Sequence, residues 1–366
     1  MKENEISVET EKYKIAILGA GIMATALTFP LAENGHEVHL VGTHLDKDII
    51  DTIRKTGIHP NLELKIPESV KVYQLEEVEK AFEGADVAMS GVNSFGVDWV
   101  GEQLAKVVKP GMMVFSITKG MQADQEGNLF ILPDIIKKYF TKELVESVTW
   151  SAVVGPSIAG EVAVHRDTCV VFCGEDQDSL NKLAALFRTD YYHVWTSTDF
   201  VGMEVAAATK NIYAFAAGFN EGIRDKNNEQ GEKYVRFNYG SAVFAQGQVE
   251  LTQFMELLSD NNVLSPKHLL VGSGDMFVTS MGGRNVKAGR YVGAGIPFSE
   301  VRDHYMKGVT MEGVAAIRVI GAAMEPLTRR GIIKDTDFPL LRHLYDIIVN
   351  DQPLQMPWNK FFGGEK

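Results

Sequence analysis

The chain has 366 residues, 45% hydrophobic and 23% charged, an ordinary globular composition with length enough for two domains. Its formal net charge of -12, from 48 acidic and 36 basic residues without a Lys/Arg block, argues against a nucleic-acid partner. It leaves room for a local positive pocket that takes an anionic small molecule.

After a charged leader, residues 15–32 carry no charge and are long enough to suggest a membrane span. Gly19, Gly21 and Pro30 punctuate the run, and the leader lacks the flanks of a signal peptide. It divides into a buried strand, KIAILG, and a helix ending at Gly35. No membrane span and a cytoplasmic location are therefore expected. The strand–turn–helix carries Gly19, Gly21 and Ala24 at G-x-G-x-x-A spacing, with Ile22 and Met23 inside the turn. Such glycines let the backbone approach a pyrophosphate seated on the helix N-terminus, so NAD or NADP is the expected cofactor.

EVHLVGT reads as the second strand, and its end bears on the choice of cofactor. Thr43 and His44 suit a 2′-phosphate and Asp46 a ribose, an ambiguous set that leans slightly to NADP. A helical LDKDIIDTIRKTG follows, stopped by Gly57. VKVY, ADVAMSGV and MMVFSIT are further strands, separated by helical LEEVEKAF and WVGEQLAKVV. Two strand ends deliver Asn93, Ser94 and Lys119 to the edge where open α/β sheets bind ligands. WSAVVG, CVVFCGE and YYHVWTST continue the series, and Ser157 after WSAVVG reads as a site residue or a helix N-cap. Cys169 and Cys173 share one strand face and read as buried thiols, which suits a reducing compartment. The alternation predicts an α/β fold with a parallel, doubly wound sheet.

Near residue 200 the strand signal ends, and helical segments follow at 200–223, 241–260, 299–308, 311–331 and 337–350. The division expected is a Rossmann-type domain over 1–199 and an all-α domain over 200–366. Lys210 stands alone in an apolar helix, on a face with Ala206, Ala207, Ala214 and Ala217, so it either snorkels to water or points into a cleft. Residues 224–238 are polar and read as a surface loop or insertion. GSGDMFVTSMGGRN reads as a loop in which Asp275 can orient the Lys210 ammonium and Arg284 with Asn285 can hold a phosphate; the plain alternative is a solvated glycine-rich turn. The tail QMPWNKFFGGEK reads as loosely held, with Trp358 and Phe361 able to dock. The nine histidines are scattered, no H-E-x-x-H occurs, and no metal is expected.

Taken in order, GAGIMATAL, TKG, GPSIAGEVA, EVAAATKNIYAFAAGFNEG, GSGDMFVTSMGGRN and MEGVAAI resemble the successive signatures of the soluble NAD(P)-dependent glycerol-3-phosphate dehydrogenases, over about residues 14–350. The resemblance implies reversible hydride transfer between NAD(P)H and dihydroxyacetone phosphate, a role in phospholipid metabolism, and a homodimer. It makes Lys210 the proton donor and acceptor and puts Lys119 at both cofactor and substrate. Gly155, Ser157, Asp275, Thr279, Gly283, Arg284 and Asn285 would form the substrate site, with Ala159 and Glu312 beside the cofactor. The chain departs from the family pattern at Ala24, at Gly42-Thr43-His44 and in a short Asp275-to-Arg284 segment. It departs again in the 224–238 insertion and at Gln246, which bear on the substrate. Competing readings are a related dehydrogenase of another small phosphorylated or hydroxy-acid substrate, a hydrolase built on GPSIAG, and a non-catalytic NAD(P)-binding regulator.

Overall fold

A computed structural model describes residues 11–259 and 265–364. The leader up to residue 10, residue 260 of the helix expected over 241–260 and the last two residues of the tail lie outside the described residues. The central sheet contains β1 (Lys14–Leu18), β2 (Glu37–Val41), β3 (Lys71–Tyr73) and β4 (Val87–Ser90). It is completed by β5 (Met113–Ser116), β6 (Thr149–Val154), β7 (Thr168–Gly174) and β8 (Tyr192–Ser197). Their spatial order is β8-β7-β6-β5-β4-β1-β2-β3. The order reverses between β1 and β4, the switch point at which open α/β sheets bind ligands.

The sheet is mixed rather than wholly parallel. β1 to β6 run parallel, but β7 is antiparallel to β6, and β8 is parallel to β7. The reason lies in the connection after β6. Its helix, Ala159–Ala163, has 5 residues and rises only about 7.5 Å, whereas β6, with 6 residues, spans about 20 Å. A chain that cannot cross back along the sheet returns from the edge it has just reached.

Strand periodicity divides the core. Ile15 and Ile17 face one layer, Ala16 and Leu18 the other. The second layer is continuous with the helical half: Phe200, Met203, Ala206 and Ala207 pack into the same cluster as Ala88, Val114 and Ala152. Residues 15–32 divide into β1 and two short helices, Ile22–Ala26 and Thr28–Glu33. Among the described residues no helix is long and apolar enough to cross a membrane.

Beyond β8 every element among the described residues is helical. The long ones are Phe200–Ala217, which carries Lys210, then Phe237–Leu258, Glu312–Arg329 and Pro339–Asn350. Three expectations need correction here. The glycine-rich passage around Asp275 is not a loop. It forms a π-turn over Leu270–Gly274, a helix Asp275–Ser280, a turn at Gly283 with φ +98°, and a second helix Arg284–Gly293. Two of its glycines, Gly289 and Gly293, permit close helix packing rather than looping: a Cβ at Gly289 would overlap the carbonyl oxygen of Phe215. The polar segment 224–238 is also partly helical, because Phe219–Lys226 runs into it and the next helix opens at Phe237. The tail is docked rather than loose. Phe361 is buried, Trp358 stands edge-on to Tyr239 at 5.1 Å, and the Phe362 amide donates to Gln246 Oε1 at 2.9 Å.

Candidate active site

The glycine turn after β1 meets β4 at the switch point. Gly19 has φ +120°, and a Cβ there would sit 2.6 Å from the carbonyl oxygen of Gly91, so only glycine fits. Gly21 has open space apart from that oxygen at 3.8 Å, which leaves its backbone accessible to a ligand. From this turn a cleft of about 870 Å³ runs to the helical half. Gly19, Gly21, Ile22 and Met23 line it with Thr43, His44, Asp46, Asn93 and Ser94. Lys119 and, from the helical half, Lys210, Thr279, Arg284 and Glu312 line it as well. The glycine cradle and the extended cleft at the switch point fit a dinucleotide.

At the far end of β2, Asp46 Oδ2 accepts from the Ala20 amide at 3.1 Å, the Thr43 amide at 2.9 Å and Thr43 Oγ1 at 2.8 Å. This carboxylate ties the two turns together. His44 meets Trp99 edge-on at 5.1 Å and forms part of the same wall.

The two lysines of the cleft are gathered by a buried carboxylate. Asp275, 2% exposed, opens its helix directly beneath two lysines. Lys210 Nζ donates to Asp275 Oδ1, and Lys119 Nζ donates to Asp275 Oδ2 at 2.9 Å and to the Gly155 carbonyl at 2.9 Å. Lys210 is 7% exposed yet lines the cleft, so of the two sequence readings it takes the inward one. Burial pushes its ammonium down to about 8; the Lys119 charge acts in the same direction, and Asp275 and Glu312 oppose it. Burial alone would raise Asp275, but the two ammonium groups more than offset it and hold the carboxyl below its ordinary range. Three cations, Lys119, Lys210 and Arg284, against two carboxylates, Asp275 and Glu312, leave this part of the cleft net positive, as an anionic ligand requires.

Several expected residues lie behind the cleft rather than on its wall. Gly155 reaches the site only as an acceptor for Lys119. Ser157 does not cap a helix, since Ile158 holds the N-cap position of Ala159–Ala163; its Oγ lies 3.8 Å from Met23 Sδ. Ala159 begins that helix, which packs on Ile22–Ala26. Gly283 forms the turn that precedes Arg284. Asn285 Oδ1 accepts from the Gly313 amide at 3.1 Å, and so joins the Arg284 helix to the Glu312 helix. Neither Gln246 nor residues 224–238 reach the cleft. Gln246 is buried and donates to Glu250 Oε1 at 2.9 Å. Asn211, Thr310 and Trp99 do line the cleft. Asn211 had a signal, its position next to Lys210, whereas Thr310 and Trp99 had none. Among the described residues no group of three or more His, Cys, Asp or Glu is placed to hold a metal.

Known proteins resemble the chain along both halves. Residues 14–180 match the family model of the NAD-dependent glycerol-3-phosphate dehydrogenase N-terminus, and residues 199–359 that of its C-terminus. The chain is 31% identical to the NADP(+)-dependent glycerol-3-phosphate dehydrogenase of Archaeoglobus fulgidus over 335 residues, 91% of this chain and 94% of that one. It is 29% identical to the glycerol-3-phosphate dehydrogenase [NAD(P)+] of Lysinibacillus sphaericus over 343 residues, 92% of each. The fold is shared with the glycerol-3-phosphate dehydrogenase of Coxiella burnetii, at TM-score 0.73 and 24% identity over 93% of this chain and 96% of that one. It is shared also with that of Saccharomyces cerevisiae, at TM-score 0.75 and 21% identity over 94% and 97%. With its glycine cradle, its lysine–aspartate cluster and both halves matched, this chain belongs to the NAD(P)-dependent glycerol-3-phosphate dehydrogenases, a family of oxidoreductases.

Proposed function

We propose that the chain interconverts dihydroxyacetone phosphate and sn-glycerol 3-phosphate, with Lys210 as the proton donor and acceptor. The observation that carries this reading is the Lys210–Asp275–Lys119 cluster, whose two lysines line the same cleft as the dinucleotide cradle. Gly19, Gly21, Ile22, Met23, Asn93 and Ser94 would hold the cofactor, whose nicotinamide supplies or accepts a hydride when bound. Lys119 and Arg284 attract the phosphate of the substrate, and Arg284 suits bidentate contact. Lys210 as ammonium stabilises the charge that grows on the carbonyl oxygen during reduction and delivers its proton there; in the reverse direction it takes the proton as a neutral amine. Asp275 orients both lysines, and the adjoining alanines of the Lys210 helix leave room for the substrate. We further assign cofactor binding to residues 1–199 and substrate binding with homodimer formation to 200–366, in the cytoplasm.

The test is loss of NADH and, separately, NADPH absorbance when dihydroxyacetone phosphate is added to the purified protein, beside Lys210→Ala. Turnover that falls by about 10²-fold or more in the variant is the expected result. The faster cofactor resolves the ambiguity at Thr43, where the Archaeoglobus relative carries an NADP(+)-dependent name. Tight cofactor binding without turnover on this substrate would sink the assignment.

A further inference from the structure

Asp199 and His268 are both buried, and neither lines the cleft. His268 Nε2 meets Asp199 Oδ2 at 2.7 Å. The surrounding bonds fix the ring: the Ser265 backbone amide can only donate, and it reaches His268 Nδ1 at 3.0 Å, so Nδ1 holds the lone pair and Nε2 donates its proton to Asp199. Asp199 Oδ1 accepts from the Gly202 amide at 2.9 Å, as the N-cap of the Lys210 helix, and from Ser259 Oγ at 2.8 Å. Nothing in the chemistry described above uses this buried pair.

The pair joins the two segments that carry Lys210 and Asp275. Asp199 caps Phe200–Ala217, with Lys210 eleven residues on, about 16 Å along the helix. His268 lies in the helix Pro266–Leu269, which runs without a break through the π-turn into the helix that Asp275 opens. The Lys210 helix packs against all three pieces of that segment. Two segments in contact are thus tied twice, by Asp199 with His268 and by Lys210 with Asp275. The π-turn sits between the two ties, a form found mostly at functional sites. Lys267 Nζ also donates to the Thr196 carbonyl, but its long flexible stem sets no register.

We propose that Asp199 and His268 are positioning residues for the reaction: their bond sets the register of the Asp275 segment along the Lys210 helix, and so holds the Asp275 carboxylate against the Lys210 ammonium. Without it the carboxylate draws back, and Lys210 loses the partner that aims it and favours its charged form. A displacement of about 1 Å at a reacting group costs up to about 10²-fold in rate, even when its cause lies far from the chemistry.

The inference rests on the role of Lys210 proposed above, and two variants separate positioning from a plain folding role. Glutamine at position 268 completes a capping box with Ser265 and still offers Asp199 an amide donor. Asparagine keeps an acceptor for the Ser265 amide, but it is one methylene shorter and does not reach Asp199. In His268→Asn, kcat for reduction of dihydroxyacetone phosphate should fall about 10-fold or more. The alkaline inflection of its kcat/KM should move down by about 0.5 or more on the pH scale, while His268→Gln stays near the wild type. A role in capping or filling alone predicts like profiles in the two variants, and like profiles overturn the inference. The second measurement needs no turnover: in protein labelled with 13C at lysine Cε, the resonance missing from Lys210→Arg should titrate lower in His268→Asn than in the wild type and His268→Gln. Asp199→Asn keeps the Gly202 cap but turns an amide donor towards His268 Nε2–H; it should shift that resonance the same way, and it serves if His268→Asn does not fold. An unshifted Lys210 titration overturns the inference whatever the substrate; absence of turnover beside a shifted titration counts only against the substrate assignment.

Discussion

Lys210 is a poorly solvated ammonium between one carboxylate and a second cation, and that balance predicts how activity responds to pH. Burial and Lys119 lower its pKa to about 8, and Asp275 and Glu312 limit the fall. In the role proposed for Lys210, reduction of the carbonyl needs the protonated form, so its kcat/KM should decline as pH rises through about 8. Oxidation of the alcohol needs the neutral amine and should rise across the same window. Asp275→Asn removes the carboxylate that favours the charged form, so the inflection in both directions should move to lower pH. Paired pH–rate profiles check this, and an inflection that stays in place or moves upward would remove Asp275 as the partner of Lys210.

Among the elements, the contact that fixes the site is the crossing of the helices after Lys210 with the Arg284 helix. Gly218 and Gly222 on one side face Gly289 and Gly293 on the other, and a Cβ at any of them would run into the facing backbone. Phe200–Ala217 and Phe219–Lys226 thereby approach Arg284–Gly293 closely enough to hold Lys210 and Arg284 in one cleft. A methyl group at Gly289 has no flexible side chain to displace, only the Phe215 carbonyl. Gly289→Ala should therefore lower stability by about 1–3 kcal/mol or more in denaturant unfolding. Gly160→Ala is the control, because its helical position has nothing within 4 Å of the added Cβ; there alanine should be neutral or stabilising by up to about 1 kcal/mol. Equal effects at the two sites would contradict the packing argument.

Across the whole molecule, Glu250 joins four parts of the helical half. Its buried carboxylate accepts from the Leu340 and Leu341 amides at 2.6 and 3.0 Å, from Tyr213 Oη at 3.1 Å and from Gln246 Nε2 at 2.9 Å, and Gln246 in turn holds the tail at Phe362. Glu250→Ala strips the opening turn of Pro339–Asn350 of its acceptor and leaves several buried donors unpaired. A loss of about 3–5 kcal/mol in equilibrium unfolding is expected, and a loss below about 1 kcal/mol would show that these donors find other partners. Nothing local marks Glu250, which reads in isolation as a polar position of an apolar helix. The strands, the G-x-G-x-x-A turn, the change to helices near residue 200 and the isolation of Lys210 were legible because each is a pattern spanning a few residues. The reversal of β7, the helical form of the passage around Asp275 and the docking of the tail were not. They depend on whether a connection can cross a sheet, whether glycines meet another backbone, and which buried amides find acceptors. Lys210 and Asp275 stand 65 residues apart, and Lys119 and Asp275 stand 156 apart. Residue types and local spacing select such groups, but their meeting is settled by the packing of layers, since burial, field and reach are properties of the assembled interior.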